Sequence, residues 1–297
     1  MTSIYLNEET RAIVQGITGK VGQIQTHWML KAGTRLVAGV TPGKGGQWVE
    51  GLPVYDTVAE TVRLHRANAS VIFVPAAFAR EAAFEAIEAG LQLIVIVTEH
   101  IPMRDTMEIK ARARLARTTV IGPNCPGIFV PGYGKLGIMP QSIFHPGCIG
   151  VVGRSATLSY EVIANLTDAG LGQTAAVGIG GDPVVCTEFT DVLQLFEADE
   201  ETRGVVLVGE IGGSAEERAA EFIVTMSKPV VALIAGQAAP PGRRFGHAGA
   251  IIRAGSGTAQ HKIQVLKEAG VTIANTPAEI PILMKQRLGM TVFSTKT

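Results

Sequence analysis

Only three cysteines occur in 297 residues, Cys125, Cys148 and Cys186, and none belongs to a CxxC pair. An odd, scattered set excludes a disulfide framework and a thiolate zinc site, and it reads as reduced thiols; no metal site is expected. Net charge is lacking too, since 26 basic residues balance 26 acidic ones. Such a balance argues against broad binding to nucleic acid or to an anionic membrane, while leaving room for a local basic pocket. Long apolar runs are missing as well, because charges, glycine and proline interrupt every candidate for a membrane span. The opening MTSIYLNEETRAIVQG has neither the basic start nor the apolar stretch of a secretory signal. A cytoplasmic location is therefore expected, or a mitochondrial matrix if this is a processed form.

What is present is 46% hydrophobic residues over a length that suits two ordinary domains. Short β-branched runs alternate with helical stretches. Strand candidates are 11–16, 35–40, 70–75, 93–98 and 118–122, with a helix from Ala77 to Gly90 among the intervening segments. Continuous rather than alternating apolar strands suit a parallel sheet covered on both faces, a doubly wound α/β pattern. Between about Gly122 and Gly150 the rhythm breaks in a Gly/Pro-dense segment that reads as a connector with some extended structure. The alternation then restarts, with helices from about Ala156, Glu188, Ala215 and Thr258. The expected organisation is one α/β domain over 1–122, a connector over 123–147 and a second α/β domain over 148–297.

Four places carry residues suited to chemistry. The first strand ends in Gly16-Ile-Thr-Gly19-Lys-Val-Gly22, a G-x-x-G-x-x-G turn opening a helix. There the amide N–H groups and the helix dipole favour a diphosphate, although a turn needed only for tight packing reads the same way. No acidic residue closes the second strand. Lys44 follows it, which suits a phosphorylated ribose such as that of CoA or NADP. In GRSATLSYEVIANL, Ser155 either caps a helix or also builds an anion pocket with the amides that follow. Glu210 ends the strand GVVLVGE, at the edge where open α/β sheets take their ligands, and Ser214 and Glu217 have capping-box spacing. A loop of Gly, Ala and Pro holds Arg243, Arg244 and His247. An imidazole there could accept a phosphoryl group, with a carboxylate fixing its tautomer; a plain surface histidine remains the other reading. His27, His65, His100, His145 and His261 lack such surroundings.

Taken together, QGITG, VAGVTPGKGG, GLPVYDTV, ASVIFVPA, VTEHIP, IGPNCPGI, VGIGGDP, GEIGGSAEE and GHAGAII resemble the α subunit of succinyl-CoA synthetase over nearly the whole chain. The resemblance implies a Rossmann-like CoA-binding domain followed by a flavodoxin-like ligase domain. It also implies a β subunit, in an αβ or α2β2 assembly, that grasps ATP or GTP with Mg2+. The implied activity is reversible formation of succinyl-CoA within the citric acid cycle, through a phosphohistidine intermediate. By the same resemblance His247 is the phosphorylated residue and Glu210 its orienting carboxylate. CoA meets Thr18, Gly19, Lys20, Val21, Lys44, Val97, Thr98 and Glu99. The dicarboxylic acid lies near Tyr160, and the phosphohistidine points at Ser155, Ala156 and Thr157.

The chain departs from the family pattern at Gly153 and Ala156, at Cys186-Thr187 after GGDP, at Pro240-Pro241-Gly242-Arg243-Arg244, and at Lys20 and Val21. These positions bear on which acid is used. Malate–CoA or citrate–CoA ligase chemistry, a CoA-binding paralogue without turnover and an NADP-dependent oxidoreductase are the competing readings.

Overall fold

Strands built from unbroken β-branched runs need cover on both faces, and the chain supplies it twice. The computed structural model describes residues 4–238, 246–252 and 257–291. The chain divides into two compact units, Ser3–Met139 with Gly178–Thr187 and Pro140–Val177 with Glu188–Thr297. The Gly/Pro-rich stretch expected as a connector over 123–147 is thus divided between the units. Residues 178–187 count with the first unit, a return that no local pattern in the sequence signals.

The first unit is built on β1 (Ala12–Gln15), β2 (Leu36–Val40), β3 (Trp48–Val49), β4 (Leu52–Tyr55), β5 (Ala69–Ile72), β6 (Leu93–Ile96) and β7 (Thr119–Ile121). Across the sheet the order is β3-β4-β2-β1-β5-β6-β7, with β3 antiparallel at the edge and the others parallel. Winding runs outward from β1, then restarts beside β1 at β5. A crevice opens where those two windings part, at the C-terminal ends of β1 and β5. Helices α1 (Lys20–Lys31), α2 (Val58–His65), α3 (Ala76–Glu88) and α4 (Met103–Ala116) alternate with the strands. The buried face of α3 is Ala79, Ala83, Ala86 and Ile87. These pack into a core with Ile13, Ile72, Ile94 and Ile96. Small side chains on that face let the helix lie close to a sheet already filled by isoleucine.

Within the segment expected as connector, β8 (Gly127–Val130) and β9 (Gly134–Gly137) form an antiparallel hairpin. Lys135 on β9 is 2% exposed, and its Nζ donates to the Met139 carbonyl at 2.7 Å. Burial lowers its pKa to about 8.

The second unit holds β10 (Pro146–Gly153), β11 (Gln173–Gly178), β12 (Gly204–Glu210), β13 (Val230–Ala235) and β14 (Thr272–Ala274), in the order β11-β10-β12-β13-β14. Here β10 pairs with β12, β12 with β13 and β13 with β14, all in parallel. The switch between windings therefore falls at the ends of β10 and β12. Every residue of β12 is buried. Helices α5 (Ala156–Asp168), α6 (Phe189–Ala198), α7 (Ala215–Ile223), α8 (Ala259–Glu268) and α9 (Ile280–Arg287) complete the unit. Ser155 and Thr258 cap α5 and α8, accepting from the amides of Leu158 and His261. The capping box expected from Ser214 and Glu217 does not form, although α7 begins where it should. Instead the Ser214 hydroxyl accepts from the Arg218 guanidinium at 2.8 Å, and Arg218 is itself held by Glu188 at 2.7 Å. Among the described residues no helix is long and apolar enough to cross a membrane.

Two outcomes follow from this packing. Phe196 on α6 is fully buried, so Phe196→Ala costs about 3–5 kcal/mol in urea unfolding. Lys135 binds its proton less tightly folded than unfolded. The unfolded chain therefore holds more protons between pH 8 and its ordinary range, and stability rises with pH there. Measured against Lys135→Met, the deficit of the wild type is constant below pH 8 and shrinks above it.

Candidate functional site

The turn after β1 is shaped by close backbone approach. Gly16 sits at φ 83°, and its N–H donates to the Val40 carbonyl at 2.8 Å. A methyl group at Gly22 would lie 2.2 Å from the Gly16 carbonyl oxygen, so α1 can start this near the turn only with glycine there. Thr18 joins the turn to the end of β2 through its hydroxyl, 3.2 Å from the Thr41 hydroxyl. A cavity of about 800 Å³ opens above these strand ends. Its wall includes Gly16, Thr18 and Gly19, then Val40 at the end of β2 with Thr41 and Pro42 after it, and Phe73, Val74 and Pro75 after β5, with Phe78, Phe84 and the carboxylates of Glu81, Glu85 and Glu88 on α3 and Arg112 of α4.

Of the residues singled out for this cavity, Thr18 and Gly19 line it. Lys20 and Val21 form the exposed first turn of α1, and Lys44 stands exposed in the loop after β2. Val97, Thr98 and Glu99 follow β6. Thr98 ties that end to the wall by donating its hydroxyl proton to the Val74 carbonyl at 2.6 Å, while Glu99 is exposed. The aromatic and cationic side of the cavity was missed: Phe84 lies under the guanidinium of Arg112 at 4.1 Å and that of Arg80 at 4.7 Å. Nothing in the spacing of α3 and α4 reveals that pairing, since it depends on how the two helices pack.

In the second unit β12 delivers Glu210 to the edge of the sheet with 7% of its side chain exposed. Its Oε2 meets Nδ1 of His247 at 2.6 Å, and its Oε1 lies 3.4 Å from Nε of Arg154, whose side chain is 6% exposed. A carboxylate facing Nδ1 accepts a hydrogen bond from its N–H, so the lone pair of the ring falls on Nε2. The sequence reading paired His247 with Glu210 but passed over Arg154. Its signal was an arginine at the mouth of an apolar strand, directly before a helix cap.

Ser155 caps α5, with its Oγ 3.4 Å from the Leu158 amide and 3.5 Å from the Thr157 hydroxyl. Ala156 is the first residue of that helix, where alanine is favourable. A side chain at Gly153 would lie 2.3 Å from the Ser159 hydroxyl, which accounts for glycine there. Tyr160 is half-buried on α5. Arg243 and Arg244 lie outside the described residues, as do Pro240, Pro241 and Gly242. Cys186 belongs to the first unit, and burial pushes its thiol up to about 12, so it stays protonated.

A profile described as CoA binding domain matches residues 7–100, and one described as CoA-ligase matches 152–272. An α subunit of ADP-forming succinate–CoA ligase from Archaeoglobus fulgidus is 56% identical over 286 residues, covering 96% of this chain and 100% of the relative. Another, from Methanothermobacter thermautotrophicus, is 57% identical over 97% of this chain and 98% of its own length. The chain belongs to the succinate–CoA ligase α-subunit family.

In this α-subunit family member the glycine turn and the cavity wall except Arg112 fall within the residues matched by the CoA-binding profile, while Arg154, Glu210 and His247 fall within those matched by the CoA-ligase profile. The fold recurs in the ATP citrate lyase of Methanothrix soehngenii, with a TM-score of 0.85 at 23% identity; all of this chain matches 53% of that one. Gly22→Ala pushes against the Gly16 carbonyl and is expected to weaken CoA binding by about tenfold or more, roughly 1.4 kcal/mol, in a calorimetric titration.

Proposed function

We propose that this chain carries the phosphohistidine of an ADP-forming succinate–CoA ligase, with His247 phosphorylated and Glu210 holding its ring. The observation that carries the reading is the 2.6 Å bond between Nδ1 of His247 and the buried carboxylate of Glu210. That bond leaves Nε2 as the nucleophile, and it stabilises the positive charge that the ring acquires when a phosphoryl group is attached.

The steps balance as follows. Nε2 attacks the terminal phosphorus of the nucleotide, an N–P bond forms as the P–O bond to the middle phosphate breaks, and the nucleoside diphosphate leaves. A carboxylate of succinate takes the phosphoryl group as the N–P bond breaks, giving an acyl phosphate. The CoA thiolate attacks the acyl carbon, a C–S bond forms and phosphate departs. Phosphoryl transfer is mostly positioning and charge stabilisation. The start of α5, with the amides of Ala156 and Thr157 beside the Ser155 cap, suits the oxyanions of the transferred group, and Tyr160 borders the acid. Arg154 keeps the Glu210 carboxylate from turning away from the ring.

In the first unit Thr18, Gly19, Lys20 and Val21 receive the diphosphate of CoA at the start of α1, where the helix dipole favours an anion. Lys44 meets the ribose phosphate, and Val97, Thr98 and Glu99 flank the chain of the ligand. A β subunit supplies the nucleotide with Mg2+, in an αβ or α2β2 assembly. The names of the relatives favour ATP over GTP.

The test is acid-labile labelling of the chain paired with its β subunit, using ATP labelled in the terminal phosphate. Wild type takes up label that succinate with CoA discharges, His247→Ala takes up none, and Glu210→Gln labels about a hundredfold more slowly. Label discharged by malate or citrate instead overturns the choice of acid. Unlabelled wild type that still binds CoA overturns the catalytic reading.

A further inference from the structure

Next to the residues that meet His247, a second ion pair is fully buried. Glu216 on α7 and Lys262 on α8 expose none of their side chains. The Lys262 ammonium donates to Oε2 of Glu216 and to the Gly212 carbonyl at 2.7 Å, and it lies 3.8 Å from Oε2 of Glu217. The other oxygen of Glu216, Oε1, accepts the backbone N–H of Glu210 at 3.0 Å. One carboxylate therefore links the backbone of Glu210 to a lysine, and the lysine links back to the turn two residues further on.

Two glycines fit this arrangement. A methyl group at Gly209 would lie 2.8 Å from both Cγ and Oε1 of Glu216, so the strand leaves room for that carboxylate. Gly212 sits at φ 90°, and a methyl group there would lie 2.1 Å from the Gly249 carbonyl oxygen and 2.7 Å from the Ile251 amide. Its own N–H donates to the Gly257 carbonyl at 2.8 Å. The same turn is thus pinned by Glu216 and Lys262 and packed against the segment that begins at His247, whose carbonyl accepts from the Ala250 amide at 3.1 Å.

A buried ion pair adds little net stability over apolar side chains of like volume, because each ion loses its hydration. Its effect here is on geometry. We propose that Glu216 and Lys262 are positioning residues, which fix the backbone of Glu210 and Gly212 so that the Glu210 carboxylate meets Nδ1 of His247 and holds one ring tautomer. The kinetic consequence rests on the phosphohistidine reading; the claim about the ring does not.

The test uses the full-length chain as wild type, as the doubly neutral Glu216→Gln/Lys262→Met, and as Glu216→Gln alone, which preserves side-chain volume. Nitrogen-15 spectra of the histidine rings report the tautomer. Wild type is expected to show His247 protonated at Nδ1 and bare at Nε2, whereas both variants give a mixture of tautomers at the same pH. With the β subunit added, the first-turnover labelling rate falls at least tenfold in the double variant, while affinity for CoA stays within twofold. A merely structural pair would lower the melting temperature yet leave the His247 spectrum and the labelling rate of the folded protein unchanged, and that result overturns the proposal. Should the double variant fail to fold, an unaltered His247 spectrum in Glu216→Gln overturns it alone. If wild type takes no label, the phosphohistidine reading fails, and the ring spectra still decide the role of the pair.

Discussion

A carboxylate withdrawn from water must be met by donors, because the lost hydration costs several kcal/mol per ion. Glu210 is such a group: it ends an inner strand of its sheet, 7% exposed, at the point where the two windings part. Its oxygens are met by His247 and Arg154, and its backbone amide by Glu216. Each partner comes from a different element: the end of β10, the start of α7 and the loop after β13. The geometry of the second unit near this edge is largely the geometry needed to surround one acid.

The first unit solves a different problem with the same topology. Its switch-point crevice has no acid at the end of β2. The turn after β1 instead has glycine at 16, 19 and 22, which lets the backbone at the start of α1 lie close to the strand ends, where the helix dipole favours an anion. Anionic ligands are served by that arrangement. Phe78 and Phe84 of α3 give the cavity an apolar side beside the carboxylates of Glu81, Glu85 and Glu88 and the guanidinium of Arg112, a mixture suited to a ligand that is only partly charged.

Much of this is legible in the sequence. The two rounds of strand and helix, the starts of α5, α7 and α8, the cap at Ser155 and the glycine turn all follow from local pattern. So did the pairing of Glu210 with His247, although it came through resemblance and not through spacing, since 37 residues separate the two. What stayed illegible has a common cause. The return of residues 178–187 to the first unit, the clamp by Arg154, the Phe84–Arg112 contact and the failed Ser214 capping box depend on groups distant in sequence competing for the same partner.

The sequence by itself determined which segments become strands and helices, because hydrophobic period, glycine and capping residues act over a few neighbours. It also determined where ligands approach, because parallel sheets open at the ends of their strands. Tertiary structure alone decided which glutamate faces outward and which inward. Glu210, Glu216 and Glu217 stand within eight residues, yet one meets a histidine, one is sealed against Lys262, and one lies at the margin of that pair. The difference comes from the packing of α8 on α7, which puts an ammonium within reach of Glu216 and away from Glu210, and no local rule encodes that distance.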